Sequence, residues 1–416
     1  MFSGNGVQAA VMPPTQTLRS ELRSLPRAFW VLCAGMFITR FGTFVYPFLT
    51  IILHRRGFSY GEIGLAMAAF GGGGLGAALV GGWFADRFGR RNAIVLGTCA
   101  NALFTFLLYW AQTLPVIMLC AGLAGFMGGF FGPAGNALVA DLVPEHLRLR
   151  AYSALRLAIN AGFAFGTATG GFLVNHSAFW LFAGDALTTA AYGLLALLLL
   201  PHGLRHSSTQ ARWGEALAHL RRDRRFWALL AAQFCAAMIM LQSTSAYSLE
   251  VAGRGLAVTL AGWQPTPEQI FGLLIGWNGL IIVSCELSLT RVTQRFEPRR
   301  VMCLGYLLLG SGFALNALPG GLRLLLTAMT VFTLGEMLAI PMGSTFVARI
   351  APPAMRGRYM GALGTAWSAA SVVGPQLGLR LFGVQPALVW LGCGALGLVA
   401  AITLWRCGDR EPETCG

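Results

Sequence analysis

Twelve times along the chain, an apolar run of about twenty residues recurs with almost no charge inside it. A helix needs that length to cross roughly 30 Å of hydrocarbon. The runs read as spans at about 28–53, 60–83, 93–111, 116–140, 151–174, 178–200, 226–249, 269–289, 301–318, 324–348, 359–382 and 387–405. Only 11% of the 416 residues are charged. A soluble chain of this length forms two or three domains with surfaces about a quarter charged, which this composition cannot cover. The expected fold is an all-α polytopic membrane protein.

The charges that remain lie between the runs. All 30 basic residues are Arg, in a chain rich in Ala and Gly, as in a GC-rich genome. With the N-terminus cytoplasmic, 23 Arg fall on inside segments and four (Arg55, Arg56, Arg254, Arg323) on outside ones. Arg40, Arg156 and Arg380 lie within spans. The positive-inside rule then places both termini in the cytoplasm. This topology accounts for the net charge of +14 without a nucleic-acid partner. Nine scattered Cys with no CxxC pair predict neither a disulfide framework nor a metal site.

The expected organisation is an N-terminal tail (1–27), a six-helix bundle (28–200), a linker (201–225), a second bundle (226–406) and a C-terminal tail (407–416). In the linker, Trp213, Ala216, Leu217 and Leu220 recur at helical spacing beneath a basic face. They suit an amphipathic helix on anionic headgroups, or equally a basic linker without a specific partner.

Six spans, a linker and six spans suggest duplication. A shift of 208 residues places Pro133 on Pro341, Gly135 on Gly343, Pro144 on Pro352, Arg148 on Arg356, Arg150 on Arg358, Gly166 on Gly374 and Gly170 on Gly378. Arg87-Phe88 falls on Arg295-Phe296 at the same offset, with Gln294 standing where the first half has Asp86.

The stretch Gly82-x-x-x-Asp86-Arg87-x-Gly89-Arg90-Arg91, between spans two and three, resembles the signature loop of the major facilitator superfamily. The resemblance covers about residues 27–406. It implies two pseudo-symmetric bundles of six helices. GFAFGTATGG (Gly162 to Gly171) is similar to the antiporter motif GxxxGPxxGG, with Thr167 at the place of the proline. Gly374, Pro375 and Gly378 hold the equivalent place in span eleven. Together these point to the bacterial drug:proton antiporter branch of the inner membrane. One departure is that MLCAGLAGFMGGFFG, in span four, lacks the Arg that many proton-coupled exporters carry there.

The resemblance implies that Asp86 meets the start of span eleven across the seam between halves. A carboxylate there gains typically 0.3–1 kcal/mol from the helix dipole. Arg90 would pair with Asp141. Gly82, Asp86, Arg87, Gly89, Arg90, Arg91 and Asp141 are thus the candidate cytoplasmic gate, although topology alone also explains the arginines. Gly162, Gly166, Gly170 and Gly171 form a small-residue face for close helix packing.

Charges within spans are costly in hydrocarbon and so point to function. Glu336 lies about 12 residues into span ten, roughly 18 Å deep, Arg40 similarly deep in span one, and Asp185 about 7 residues into span six. Burial favours the protonated carboxyl, and a nearby Arg opposes it. Motion that adds and removes such a partner makes a proton carrier. Glu336 is the first proton-coupling candidate, Asp185 the second, and Arg40 is named with them. Both acids could instead be permanently ionised and hold helices together.

The resemblance implies a cavity between the halves, and its candidate lining is Arg40, Tyr46, Asn136, Arg156, Asn160, Gln242, Asn278, Glu336 and Trp367. That mixture suits an amphipathic molecule. No phosphate loop, metal-ligand cluster or nucleophile motif appears, so neither an enzyme nor a cofactor is expected. The reading is a secondary active transporter exporting drugs or amphipathic molecules, with proton, lipid and small-molecule partners, as a monomer. Proton-coupled uptake, facilitated diffusion, or a lipid-handling or receptor role on the same fold are the alternatives.

Overall fold

The computed structural model describes residues 24–201, 221, 223–259, 262–293, 295–351 and 355–407, except the side chains of a few helical residues within those ranges. The linker helix expected near Trp213 lies outside the described residues.

The first half contains α1 (Arg27–Phe41), α2 (Val45–Arg55), α3 (Tyr60–Phe88), α4 (Arg90–Leu107), α5 (Leu114–Leu142), α6 (Glu145–His176) and α7 (Ala178–Leu199). The second contains α8 (Arg224–Leu241), α9 (Ala246–Gly253), α10 (Pro267–Thr293), α11 (Pro298–Ala314), α12 (Leu322–Ile350), α13 (Arg356–Val384) and α14 (Pro386–Arg406). Because α1–α2 and α8–α9 are each one interrupted rod, the described helices form the twelve predicted rods. Nine are long and apolar enough to cross a membrane by length and composition alone. The others are α3, α4 and α13; α4 opens on Arg90, Arg91 and Asn92, which lower its apolar content.

Helix pairing reproduces the sequence repeat. In the first bundle α3 packs on α5, α4 on α5 and α7, and α1 on α6. Six spans later, α10 packs on α12, α11 on α12 and α14, and α8 on α13. The bundles meet along two seams, α3 against α13 and α6 against α10. These seams are related by the same shift, as a pseudo-two-fold arrangement requires.

The interruption of the first rod was not expected from its continuous apolar run, and it has a local cause. Pro47 has no amide hydrogen, and its ring excludes the carbonyl four residues back from a helix. That carbonyl belongs to Thr43, where α1 has ended and α2 not yet begun. Pro47 itself falls in the first turn of α2, where a missing N–H costs nothing. The seventh rod breaks at Gln242–Thr244, a single 3-10 turn. There Ser245 donates back to the Leu241 carbonyl at 2.9 Å.

The turn from α3 to α4 is made by Gly89 alone, at φ +95°. Residues with a Cβ avoid that conformation, so glycine is required here.

Candidate functional site

Opposite the arginine-rich loops, at the far end of the molecule, the two bundles are laced together. Arg55 of α2 forms an ion pair with Glu268 at the start of α10. Asn175 donates to Thr266, and the Phe172 ring stacks on Trp263 with centroids 5.7 Å apart. Deeper in, the Thr50 and Ser248 hydroxyls lie 2.6 Å apart between the two interrupted rods. The far end is therefore closed.

Toward the basic end, Arg156 of α6 bridges the same seam to Glu286 of α10, at 2.9 Å. Arg156 remains 43% exposed and Glu286 only 13%. Exposure on the arginine side weakens the pair to about 1 kcal/mol or less.

Between these two levels lies a small cavity of about 90 Å³, lined by Asn160 and Phe163 of α6 and by Ser243, Asn278, Phe332 and Glu336 of the second bundle. The Asn278 amide donates to the Glu336 carboxylate at 2.9 Å and lies 2.9 Å from the Thr333 hydroxyl. Glu336 is half-buried. Its carboxylate thus faces the seam between the bundles, with the Asn278 amide on it.

Asp185 is placed differently. Its carboxylate accepts the Val45 amide at 2.9 Å, with the Phe44 amide and Thr189 hydroxyl also directed at it. In hydrocarbon, backbone groups freed by a helix break must find partners within the protein. Asp185 provides that partner, capping the second half of the broken rod at its positive end.

The candidate lining residues expected in one cavity between the halves divide between two separate cavities. Arg40, Tyr46 and Asp185 line one of about 270 Å³ inside the first bundle. Asn160, Asn278 and Glu336 line the smaller one at the seam. The remaining candidates line neither. Gln242 is buried, and its amide donates to the Met238 and Gly374 carbonyls, which ties α8 to α13. Trp367 packs on Ala237, Met238 and Ala370. Asn136 is exposed, and its carbonyl accepts the Tyr152 hydroxyl at 2.9 Å. Sequence reasoning missed Asn101, Thr105 and Thr189, which line the first-bundle cavity from spans three and six. A polar residue inside each apolar run was their signal.

In the loop motif, Arg90 contacts the Asp141 carboxylate and donates to the Ala137 carbonyl at 2.5 Å. Arg87 lies over the Trp83 and Phe88 rings, 5.5 and 5.9 Å from their centroids. Arg91 follows Arg90 in the first turn of α4. Gly82 and the Asp86 side chain lie outside the described residues.

The span-five glycines are at crossings. A Cβ on Gly166 would sit 2.0 Å from the Phe41 carbonyl oxygen, and one on Gly162 2.6 Å from that of Phe37. Gly170 meets Phe48, and Gly171 meets the Glu268 backbone across the seam. In the second half, Gly374 and Gly378 flank Pro375 within α13 and meet Leu241 and Gln242 of α8.

Two pseudo-symmetric helical bundles, sealed at one end and holding acids at their seam, define a multi-pass membrane transporter rather than an enzyme. A model of the Major Facilitator Superfamily matches residues 32–275 and 262–414. The chain belongs to this superfamily. Among curated proteins it is 26% identical over 376 residues to the "Na(+), Li(+), K(+)/H(+) antiporter" of Planococcus maritimus, covering 84% of this chain and 86% of that one. It is 27% identical over 396 residues to the "Multidrug resistance protein MdtH" of Aeromonas hydrophila, covering 92% and 96%. Among solved structures, the nucleoside transporter NupG superposes with a TM-score of 0.75 at 15% identity, covering 93% of this chain and 100% of that one. A peptide transporter POT in complex with sulfate gives 0.74 at 17%, covering 92% and 94%. At those identities the structural likeness speaks for the fold.

Proposed function

We propose that the protein is a proton-coupled exporter of drugs or amphipathic small molecules. It works by alternating access as a monomer in a bacterial inner membrane, with both termini cytoplasmic. The position of Glu336 carries this reading: an acid at membrane depth, facing the cavity on the seam that must open and close.

A carboxylate changes its proton affinity when donors and cations are added or removed. Arg156 and Glu286 belong to different bundles, so rocking of the bundles moves an Arg and a second acid relative to Glu336. Release of the far-end lacing exposes the seam cavity to one side of the membrane. Re-forming it, with opening at the loops, exposes the cavity to the other. Asp86 would latch the basic end by meeting the start of span eleven, with Arg90–Asp141 bracing the loop that carries it. The arginine count supports the orientation, and the names of two relatives, an antiporter and a multidrug resistance protein, support the direction and the coupling.

The test is flux from proteoliposomes under an imposed pH gradient, with a panel of amphipathic dyes. Gradient-driven flux is expected in the wild type, and Asp86→Asn is expected to slow it at least tenfold without loss of folded protein. Flux indifferent to the gradient would sink the antiporter reading.

A further inference from the structure

The cavity within the first bundle holds a cation that forms no ion pair among the described residues. Arg40 stands in the last turn of α1, just before the helix break. Its Nε is fully buried without an acceptor. The closest aromatic support is the Phe131 ring, 6.0 Å from the guanidinium carbon. Asp185 lines the same cavity, but its carboxylate is directed at the Val45 amide. The buried Thr39 hydroxyl beside Arg40 is also unpartnered.

A guanidinium whose buried Nε has no acceptor is costly at membrane depth, where cations are normally paired. Its planar fork matches an oxyanion in a bidentate way. Gly74, Gly125, Gly128 and Gly129 also line the cavity, together with Phe70 and Leu108, so that part of its wall has little side-chain bulk. At about 270 Å³ the space is slightly below the usual 300–1,000 Å³ of ligand pockets. It therefore accommodates the anionic end and a short apolar part of a ligand.

We infer that the first-bundle cavity is a binding site for the oxyanion head of an amphipathic anion, held by Arg40, with its apolar part along the glycine wall. The inference rests on the transport reading and gives it a substrate class: carboxylates or related oxyanions rather than lipophilic cations. An anionic lipid headgroup presents the same chemistry and is the other source of such a ligand.

The test is equilibrium binding to the purified full-length protein at fixed pH with no gradient. The probes are octanoate, octanol and octyltrimethylammonium. Wild type is expected to bind octanoate at least tenfold tighter than either of the others. Arg40→Gln is expected to weaken octanoate tenfold or more, and Arg40→Lys to recover part of the loss.

Gly74→Leu provides a check that leaves the charge in place. Gly74 lines the cavity, and a Cβ there meets only the Gly125 carbonyl oxygen at 3.9 Å, an ordinary contact, so a larger side chain starts without a clash. It is expected to abolish octanoate binding in protein that still elutes as a folded species. Binding in phosphatidylglycerol nanodiscs and in phosphatidylcholine nanodiscs separates the two sources. Equal affinity supports a soluble solute, and loss confined to phosphatidylglycerol supports a lipid head at Arg40.

Unchanged octanoate affinity in both Arg40→Gln and Gly74→Leu, or preference for the cation, overturns the inference. Because no gradient is applied, that result leaves proton coupling untouched. Failure of gradient-driven flux, in turn, leaves the binding result standing.

Discussion

Asp185 and Glu336 are both single carboxylates deep in apolar helices, yet the structure places them differently. Asp185 sits inside one bundle, fully buried, with its oxygen on a backbone amide that the broken first span has freed. Glu336 sits where the two bundles meet, half-buried, with the side-chain amide of Asn278 on it. A backbone amide stays in place as long as the bundle holds, whereas under the proposed alternating access the seam would be rebuilt whenever the bundles rock. Depth in the membrane therefore does not identify a proton carrier. What matters is whether an acid's surroundings change during the cycle.

The largest expected effect separates the two acids directly. Glu336→Gln should reduce gradient-driven flux about a hundredfold or more, while substrate exchange without a gradient persists. Asp185→Asn should keep coupling, because an amide oxygen still accepts from Val45. The reverse outcome would reassign the carrier to Asp185.

A smaller effect tests the capping role. Asp185→Ala leaves the Val45 amide unsatisfied in a low-dielectric site, which costs about 1–3 kcal/mol. Thermal unfolding in detergent should show that loss for Asp185→Ala. Glu336→Ala, with no backbone group depending on it, should show less. Equal losses would erase the distinction.

The seam ion pairs come next. Arg156→Gln removes the cation from Glu286 and should cost about 1 kcal/mol or less in stability, since the Arg is partly exposed. Its flux is expected to fall several-fold and its pH profile to shift, which a purely structural link would not produce. The smallest effect is at the far-end lacing. A double-mutant cycle of Arg55→Gln and Glu268→Gln on melting temperature should give a coupling of about 0.2–1 kcal/mol.

The architecture was readable because hydrophobic length, arginine placement and the 208-residue repeat all depend on local sequence. The pairing of Arg90 with Asp141 came from the motif, and the structure brings the two residues together. Which face of a helix a side chain occupies does not follow from a run that is apolar all round. Gln242 and Trp367 look like lining residues in sequence, but one joins α8 to α13 and the other fills a packing gap. The division into two cavities depends on how the helices cross, so no single span reports it. The break in the first span was legible in principle: Pro47 lies four residues after Thr43, and mean hydropathy does not register that spacing.

The break also sets an order of assembly. Val45 and Asp185 are 140 residues apart, so the amide emerges from the ribosome well before the acid that receives it. Until span six is made, the second half of the first span lacks the carboxylate that receives its Val45 amide. The first bundle can lock only when its last helix arrives, and a nascent chain stalled after span five would hold its first helix in the membrane provisionally.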